Sequence, residues 1–139
     1  MFVITKYINI QTRGDGDIQD ITDLVEEIIM KSEITTGIVV IFCPSSTSSI
    51  TTIEYESGCL DDLSRLFEEI IPTNREYAHN ARWGDGNGHS HVRAAMMGPS
   101  LTVPILKKRL ALGIWQQIIH IDFDNKPRKR SILLQISGE

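Results

Sequence analysis

Gly37-Ile38-Val39-Val40-Ile41-Phe42-Cys43 is a continuous apolar run rich in β-branched residues. That pattern predicts a strand covered on both faces, and the rest of the chain is read outward from it. On its N-terminal side, Ile21, Leu24, Val25, Ile28 and Ile29 recur at helical spacing behind Asp20 and Thr22, either of which can cap a helix. Before that helix, Phe2, Ile4, Ile8 and Ile10 alternate loosely through a β-rich stretch over 2–12. The Gly14-Asp15-Gly16-Asp17 turn should then bring a short extended piece around Ile18 back beside that first strand.

On the C-terminal side a hydroxyl-rich loop, Pro44-Ser45-Ser46-Thr47-Ser48-Ser49, leads into a strand over 50–55. Ser57 is placed to cap a second helix, whose stripe is Leu60, Leu63, Leu66, Phe67, Ile70 and Ile71, ended by Pro72. A strand opening at Gly113 would put Trp115, Ile119, Ile121 and Phe123 on one face, with Gln116, His120 and Asp122 on the other. Asp124-Asn125-Lys126-Pro127 reads as a hairpin turn into a last strand. Strands that come singly or in hairpins, with two longer helices and one short one among them, define an α+β domain over 1–139. Its sheet is expected to be mixed and mainly antiparallel.

Composition narrows the function. Hydrophobic residues at 41% and charged ones at 23% are ordinary for a globular chain, so disorder is not indicated. A formal charge of −4 argues against a general nucleic-acid or anionic-membrane binder. No apolar run reaches the length of a bilayer span, and the N-terminus lacks a signal peptide's apolar centre, so the expectation is a cytoplasmic protein. Cys43 and Cys59 do not make a disulfide framework.

The candidate site is the stretch 79–104, which holds His79, His89 and His91 and the alternating Gly84, Gly86 and Gly88. Ser90 offers an N-cap for a short helix from His91 to Met97. A glycine-rich turn running into a helix start presents unpaired N–H groups of the kind that bind phosphate, and imidazoles beside it can move protons or hold a metal. The bland reading is a surface turn with an accidental His-x-His. A second signal lies in the last strand, where Arg128 and Arg130 share a face with Ile132, Leu134 and Ile136. Arginine on a covered face is costly unless an anion or a carboxylate meets it.

Several segments, in order, resemble the YjbQ family, whose members are described as having secondary thiamine-phosphate synthase activity. They are Tyr77-Ala78-His79-Asn80, Asn87-Gly88-His89-Ser90-His91, Gly98-Pro99-Ser100-Leu101-Thr102-Val103-Pro104, Leu112-Gly113-Ile114-Trp115-Gln116 and the stretch 122–130. Thr51-Thr52-Ile53-Glu54-Tyr55-Glu56 is similar to a subset of that family. The resemblance implies a homotrimer with His79 and His91 in a pocket at a subunit boundary. It also implies a reaction joining a pyrimidine methyl diphosphate to a thiazole phosphate with release of pyrophosphate. The chain departs from the pattern at Ser46, where many relatives have a histidine before Thr-Thr or Thr-Ser, and at Lys108 and Ile114, which replace a glycine and a threonine.

Such chemistry needs oriented donors for leaving-group charge. Asn87, Gly88, Ser90, Arg128 and Arg130 are the expected anion contacts, with Thr47, Ser100 and Gln116 added from segments the resemblance covers. His91, His79 and Glu54 are the candidate catalytic groups, and Mg²⁺ or another divalent metal would be held by Asp85, Glu54 or Asp122. Two rivals stand beside this reading. One is metal-assisted chemistry with His79, His89 and His91 as ligands and Asp85 nearby. The other is a non-catalytic homotrimer that binds a small anion or a metal. The expected partners are a phosphorylated small molecule and further copies of the chain, with neither nucleic acid nor membrane.

Overall fold

The computed structural model describes residues 1–139. Its strands are β1 (Phe2–Thr12), β2 (Asp17–Asp20), β3 (Thr36–Phe42), β4 (Ser48–Ile53), β5 (Ser100–Leu106), β6 (Arg109–Leu110), β7 (Gln117–Asp122) and β8 (Arg128–Gly138). Its helices are α1 (Thr22–Lys31), α2 (Ser57–Ile70), α3 (Ala78–Trp83) and α4 (Gly88–Met97). The α+β class holds, with four helices and two sheets in which every ladder is antiparallel. One sheet has the order β1-β8-β3-β5-β6, and the other has β2-β7-β4.

The run at 37–43 lies at the centre of the larger sheet. Its alternate residues Val39, Ile41 and Cys43 join Ile8, Ile132, Leu134, Ile136, Val103 and Ile105 on the inner face. That face meets Val25 and Ile29 of α1, together with Ile50 and Ile118 of the smaller sheet. The smaller sheet's other face, Ile119, Ile121 and Phe123, packs on Phe67 of α2 and Ala94 of α4. Two sheets and a layer of helices therefore enclose two apolar cores. Each fully buried isoleucine contributes about 1.5–3 kcal/mol by leaving water, and cutting Ile118 back to alanine is expected to cost ~2–5 kcal/mol.

Several sequence expectations are corrected. β3 is covered on one face only within the chain, since Ile38 on the opposite face is 42% exposed. The strand buried on both faces is β7, where Ile118 to Asp122 are all inside. The piece around Ile18 does not return beside β1; it pairs with β7 in the smaller sheet. The strand expected from Gly113 begins at Gln117. Gln116 folds back, its N–H donating to the Gly113 carbonyl at 3.0 Å and its Oε1 accepting from Gly113 N at 2.9 Å. That turn leaves Ile114 and Trp115 exposed.

The turn at 124–127 makes no hairpin, because β7 and β8 belong to different sheets and the chain crosses between layers there. Pro104 sits within β5 without breaking its ladder to β3. Its carbonyl accepts from Ala111 N on the β6 side, so the missing N–H costs no bond to the central strand. Glu56, not Ser57, caps α2, accepting from Gly58 N and Cys59 N at 2.8 Å each. No helix is long and apolar enough to cross a membrane.

Candidate functional site

Three connections meet at one end of the sandwich: the β3–β4 loop, the α3–α4 turn and the crossing from β7 to β8. They enclose an open pocket of about 370 Å³. Ser45, Ser46 and Thr47 come from the first connection, Asp85 and Asn87 from the second, and Asp124 from the third. Arg128 and Arg130 of β8 and His91 of α4 complete the wall with Pro44, which is its one aliphatic side chain.

The arginines are where strand alternation puts them, and carboxylates meet both. Arg130 Nε donates to Asp122 Oδ2 at 2.7 Å, and its Nη2 donates to Asp122 Oδ1 at 2.9 Å and to Thr47 Oγ1 at 2.8 Å. Asp122 has no exposed surface and also accepts from Thr12 Oγ1 at 2.7 Å. Arg128 Nε donates to Asp124 Oδ2 at 3.1 Å, where Thr47 Oγ1 also donates at 3.0 Å. Burial alone would raise the Asp124 pKa; hydrogen bonds from Arg128 and Thr47 overcome it and hold the carboxyl below its ordinary range. Burial likewise opposes the charge on Arg130, and the bonds to Asp122 more than restore it. Neither arginine spends Nη1 on an acceptor in the chain.

The two imidazoles of the α3–α4 region are adjacent. The rings of His79 and His91 lie 4.4 Å apart between centroids, tilted by 41°. His79 Nδ1 is 3.3 Å from Asp85 Oδ1, so a carboxylate stands behind His79, and His79 behind His91 on the pocket wall. His89 is elsewhere. It is 2% exposed, with Nε2 3.3 Å from Ser90 Oγ, and burial followed by the nearby Arg93 charge lowers its pKa.

Helix α4 begins at Gly88, with Asn87 as its N-cap, earlier than the expected start at His91. Ser90 is therefore inside the first turn, fully buried, and its hydroxyl donates to the Phe123 carbonyl at 2.5 Å. Gly88 serves packing. A Cβ there would lie 2.5 Å from Tyr77 Cβ, and its N–H donates to Asn80 Oδ1 at 2.8 Å. His91 N already donates to the Asn87 carbonyl at 3.4 Å, so few first-turn N–H groups remain for an anion.

Of the remaining candidates, Thr47, Asn87, Arg128 and Arg130 converge on the pocket, and Ser100 does not line it. Glu54 and Gln116 lie beyond the far ends of β4 and β7, roughly 20 Å away at the rise of a strand. Of the proposed metal ligands His79, His91 and Asp85 are neighbours and His89 stands apart, and no three His, Cys, Asp or Glu side chains are grouped to hold an ion. Asp122 has its oxygens committed to Arg130 and Thr12, and Glu54 is remote, so the donor set does not fit a metal held by the protein alone. Sequence reasoning missed Ser45 and Asp124, and marked Ser46 only as a departure from the family's pattern. The Asp122-x-Asp124 and Arg128-x-Arg130 pairs on either side of one turn were the signal for Asp124.

The profile of the family described as UPF0047 protein YjbQ-like matches residues 6–139. The chain belongs to the YjbQ family. A UPF0047 protein of Methanothermobacter thermautotrophicus is 36% identical over all of this chain and 95% of its own length. UPF0047 protein YugU of Bacillus subtilis is 32% identical over 96% of this chain and 98% of its own. Among solved structures, a YbjQ-like protein of unknown function from Sulfolobus solfataricus superposes with a TM-score of 0.94 at 33% identity, covering 99% of both chains. A YjbQ/UPF0047 protein from Clostridium acetobutylicum gives a TM-score of 0.87 at 31% identity over 95% of this chain and 99% of its own. In this YjbQ-family chain Ser46, the departure noted above, is an exposed wall residue, and the imidazoles near the pocket come from α3 and α4.

Proposed function

We propose that the chain is a small-molecule enzyme that handles phosphate. One observation carries the reading: two guanidiniums, anchored by Asp122 and Asp124, line the same pocket as His91 with their Nη1 groups unspent. Fixed donors of this kind stabilise charge that develops on a departing phosphate. In the reaction the resemblance implies, the thiazole nitrogen forms a bond to the pyrimidine methylene carbon. The carbon–oxygen bond to diphosphate breaks, and its electron pair leaves with pyrophosphate. Arg128 and Arg130 would bind that leaving group, and His91 would hydrogen-bond or protonate its oxygen. His79 would orient His91, with Asp85 behind it. The family's activity is described as secondary, so phosphate handling is the primary proposal and thiamine-phosphate synthesis one example of it, carried out in the cytoplasm.

A divalent ion, if used, would arrive with the substrate's phosphates and meet Asp85, whose Oδ2 is uncommitted. Assembly as a homotrimer is part of the proposal. The outer face of the larger sheet offers apolar surface for it, with Ile38, Leu106 and Tyr7 exposed. The rival is a non-catalytic anion binder. Calorimetry with pyrophosphate, run beside a turnover assay on the pyrimidine diphosphate and thiazole phosphate pair, separates the two. Binding without turnover supports the rival, and absence of both removes the phosphate reading.

A further inference from the structure

We infer that the physiological ligand of this pocket is a hydroxylated phosphate ester, a polyol or sugar phosphate, whose hydroxyls are read by Asp85, Ser45 and Ser46. The inference rests on the phosphate reading above and names the substrate class within it. Pockets for small molecules are ordinarily lined mostly by apolar and aromatic side chains, with a few polar groups for orientation. This one has a single apolar side chain, Pro44, in a wall of otherwise polar and charged groups. Tyr55, Trp83 and Trp115, which offer flat faces to a heteroaromatic ring, are not among its lining residues.

The carboxylates decide the class. Asp122 and Asp124 are committed to the arginines and Thr47, so they set the anion site and have little left for a ligand. Asp85 differs. Its Oδ1 accepts from Asn87 N at 3.1 Å and lies near His79, while Oδ2 has no partner and the side chain is 41% exposed. A free carboxylate beside a bare phosphate is repulsive, and it becomes favourable when the ligand also carries O–H donors. Ser45 Oγ accepts from Thr47 N at 3.1 Å and lies 3.4 Å from Thr47 Oγ1, long for an O–H···O bond, so its hydroxyl can turn to a ligand in the pocket. Ser46 is exposed on the wall and makes no side-chain bond within the chain. Anion donors and hydroxyl readers thus share one cavity, and an ester lacking hydroxyls would leave the readers unpaired.

The test is calorimetry of the full chain with inorganic phosphate, glycerol 3-phosphate and phenyl phosphate. Glycerol 3-phosphate should bind about tenfold more tightly than phenyl phosphate, the scale of one or two net hydrogen bonds. Asp85→Asn should erase most of that preference while inorganic phosphate binds as well or better, because a like charge is gone. Ser45→Ala is the second variant, expected to narrow the preference with phosphate affinity unchanged; it decides the matter should Asp85→Asn fail to fold. Phenyl phosphate binding as tightly as glycerol 3-phosphate, with inorganic phosphate still bound, overturns this inference alone. Absence of binding by all three removes the phosphate reading itself, and the inference with it.

Discussion

Asp122, with no exposed surface, holds the Arg130 guanidinium through Nε at 2.7 Å and Nη2 at 2.9 Å. The pair is half of the proposed anion site and also a buried charge pair, so its removal has two separable consequences. Arg130→Ala should weaken phosphate binding by ~1–3 kcal/mol through loss of a charge-assisted donor. It should also destabilise the fold by ~3–5 kcal/mol, because Asp122 is left uncompensated. Adding Asp122→Leu should recover much of the stability and none of the affinity. Denaturant titration and calorimetry on the single and double variants read the two effects, and unchanged phosphate affinity in Arg130→Ala would exclude it from the site.

His91 lines the pocket, and of the two imidazoles its neighbour His79 is the one in contact with the Asp85 carboxylate. If His91 acts as a general acid or base, His91→Ala should reduce turnover by ~10²–10⁴-fold with a nearly unchanged melting temperature. A folded variant with near wild-type turnover passes the role to His79.

The fold carries a separate pH response. His120 is buried, and burial lowers its pKa to about 4. Its Nε2 lies 3.7 Å from Cys43 Sγ, and Nδ1 has no partner. The unfolded chain takes up this proton near pH 6.5 and the folded chain resists until about pH 4. Stability should therefore fall as pH drops through that window, by up to about 3 kcal/mol, with His89 adding in the same direction. His120→Leu should flatten the slope between pH 6.5 and 4 in urea melts; an unchanged slope would falsify the assignment.

Gly88 packs where α3 and α4 cross, with Tyr77 in the place of a side chain. Gly88→Ala should cost ~1–3 kcal/mol by forcing the helices apart. The shift should also separate His79 from His91, so turnover should fall further than the folded fraction, as circular dichroism alongside the assay would show.

The apolar outer face of the larger sheet predicts association. Light scattering at micromolar concentration should give three times the chain mass, and Ile38→Lys, which puts a charge on that face, should lower it. A stable wild-type monomer would defeat the trimer and the shared pocket together.

The sequence carried the elements better than their partners. Alternation placed Arg128 and Arg130 on the face of Ile132 and Leu134, and the structure supplies the carboxylates that this placement demanded. Periodicity does not say which sheet a strand joins, so Asp124 to Pro127 looked like a hairpin when it is a passage between layers. Local chemistry misled at Ser90, which has a cap's composition and is spent inside the first turn on the Phe123 carbonyl. Ser45 carried no signal, since a hydroxyl-rich loop reads the same whether it faces solvent or a cavity, and Ser46 stood out only as a departure from the family's pattern.

The passage between layers at 124–127 has a consequence for how the protein opens. The groups proposed to bind an anion hang from β8 in one sheet, and those that brace them, Asp122 and Asp124, from the end of β7 and the residues just beyond it. A chain with either sheet frayed has no pocket, so ligand can be held only by the fully closed molecule. Bound anion should then slow amide hydrogen exchange across both cores together, by the mass-action factor 1 + [L]/Kd, without a local patch of protection around the site. The pocket is in that sense a clasp, and its occupancy reports on the sandwich as a single cooperative unit.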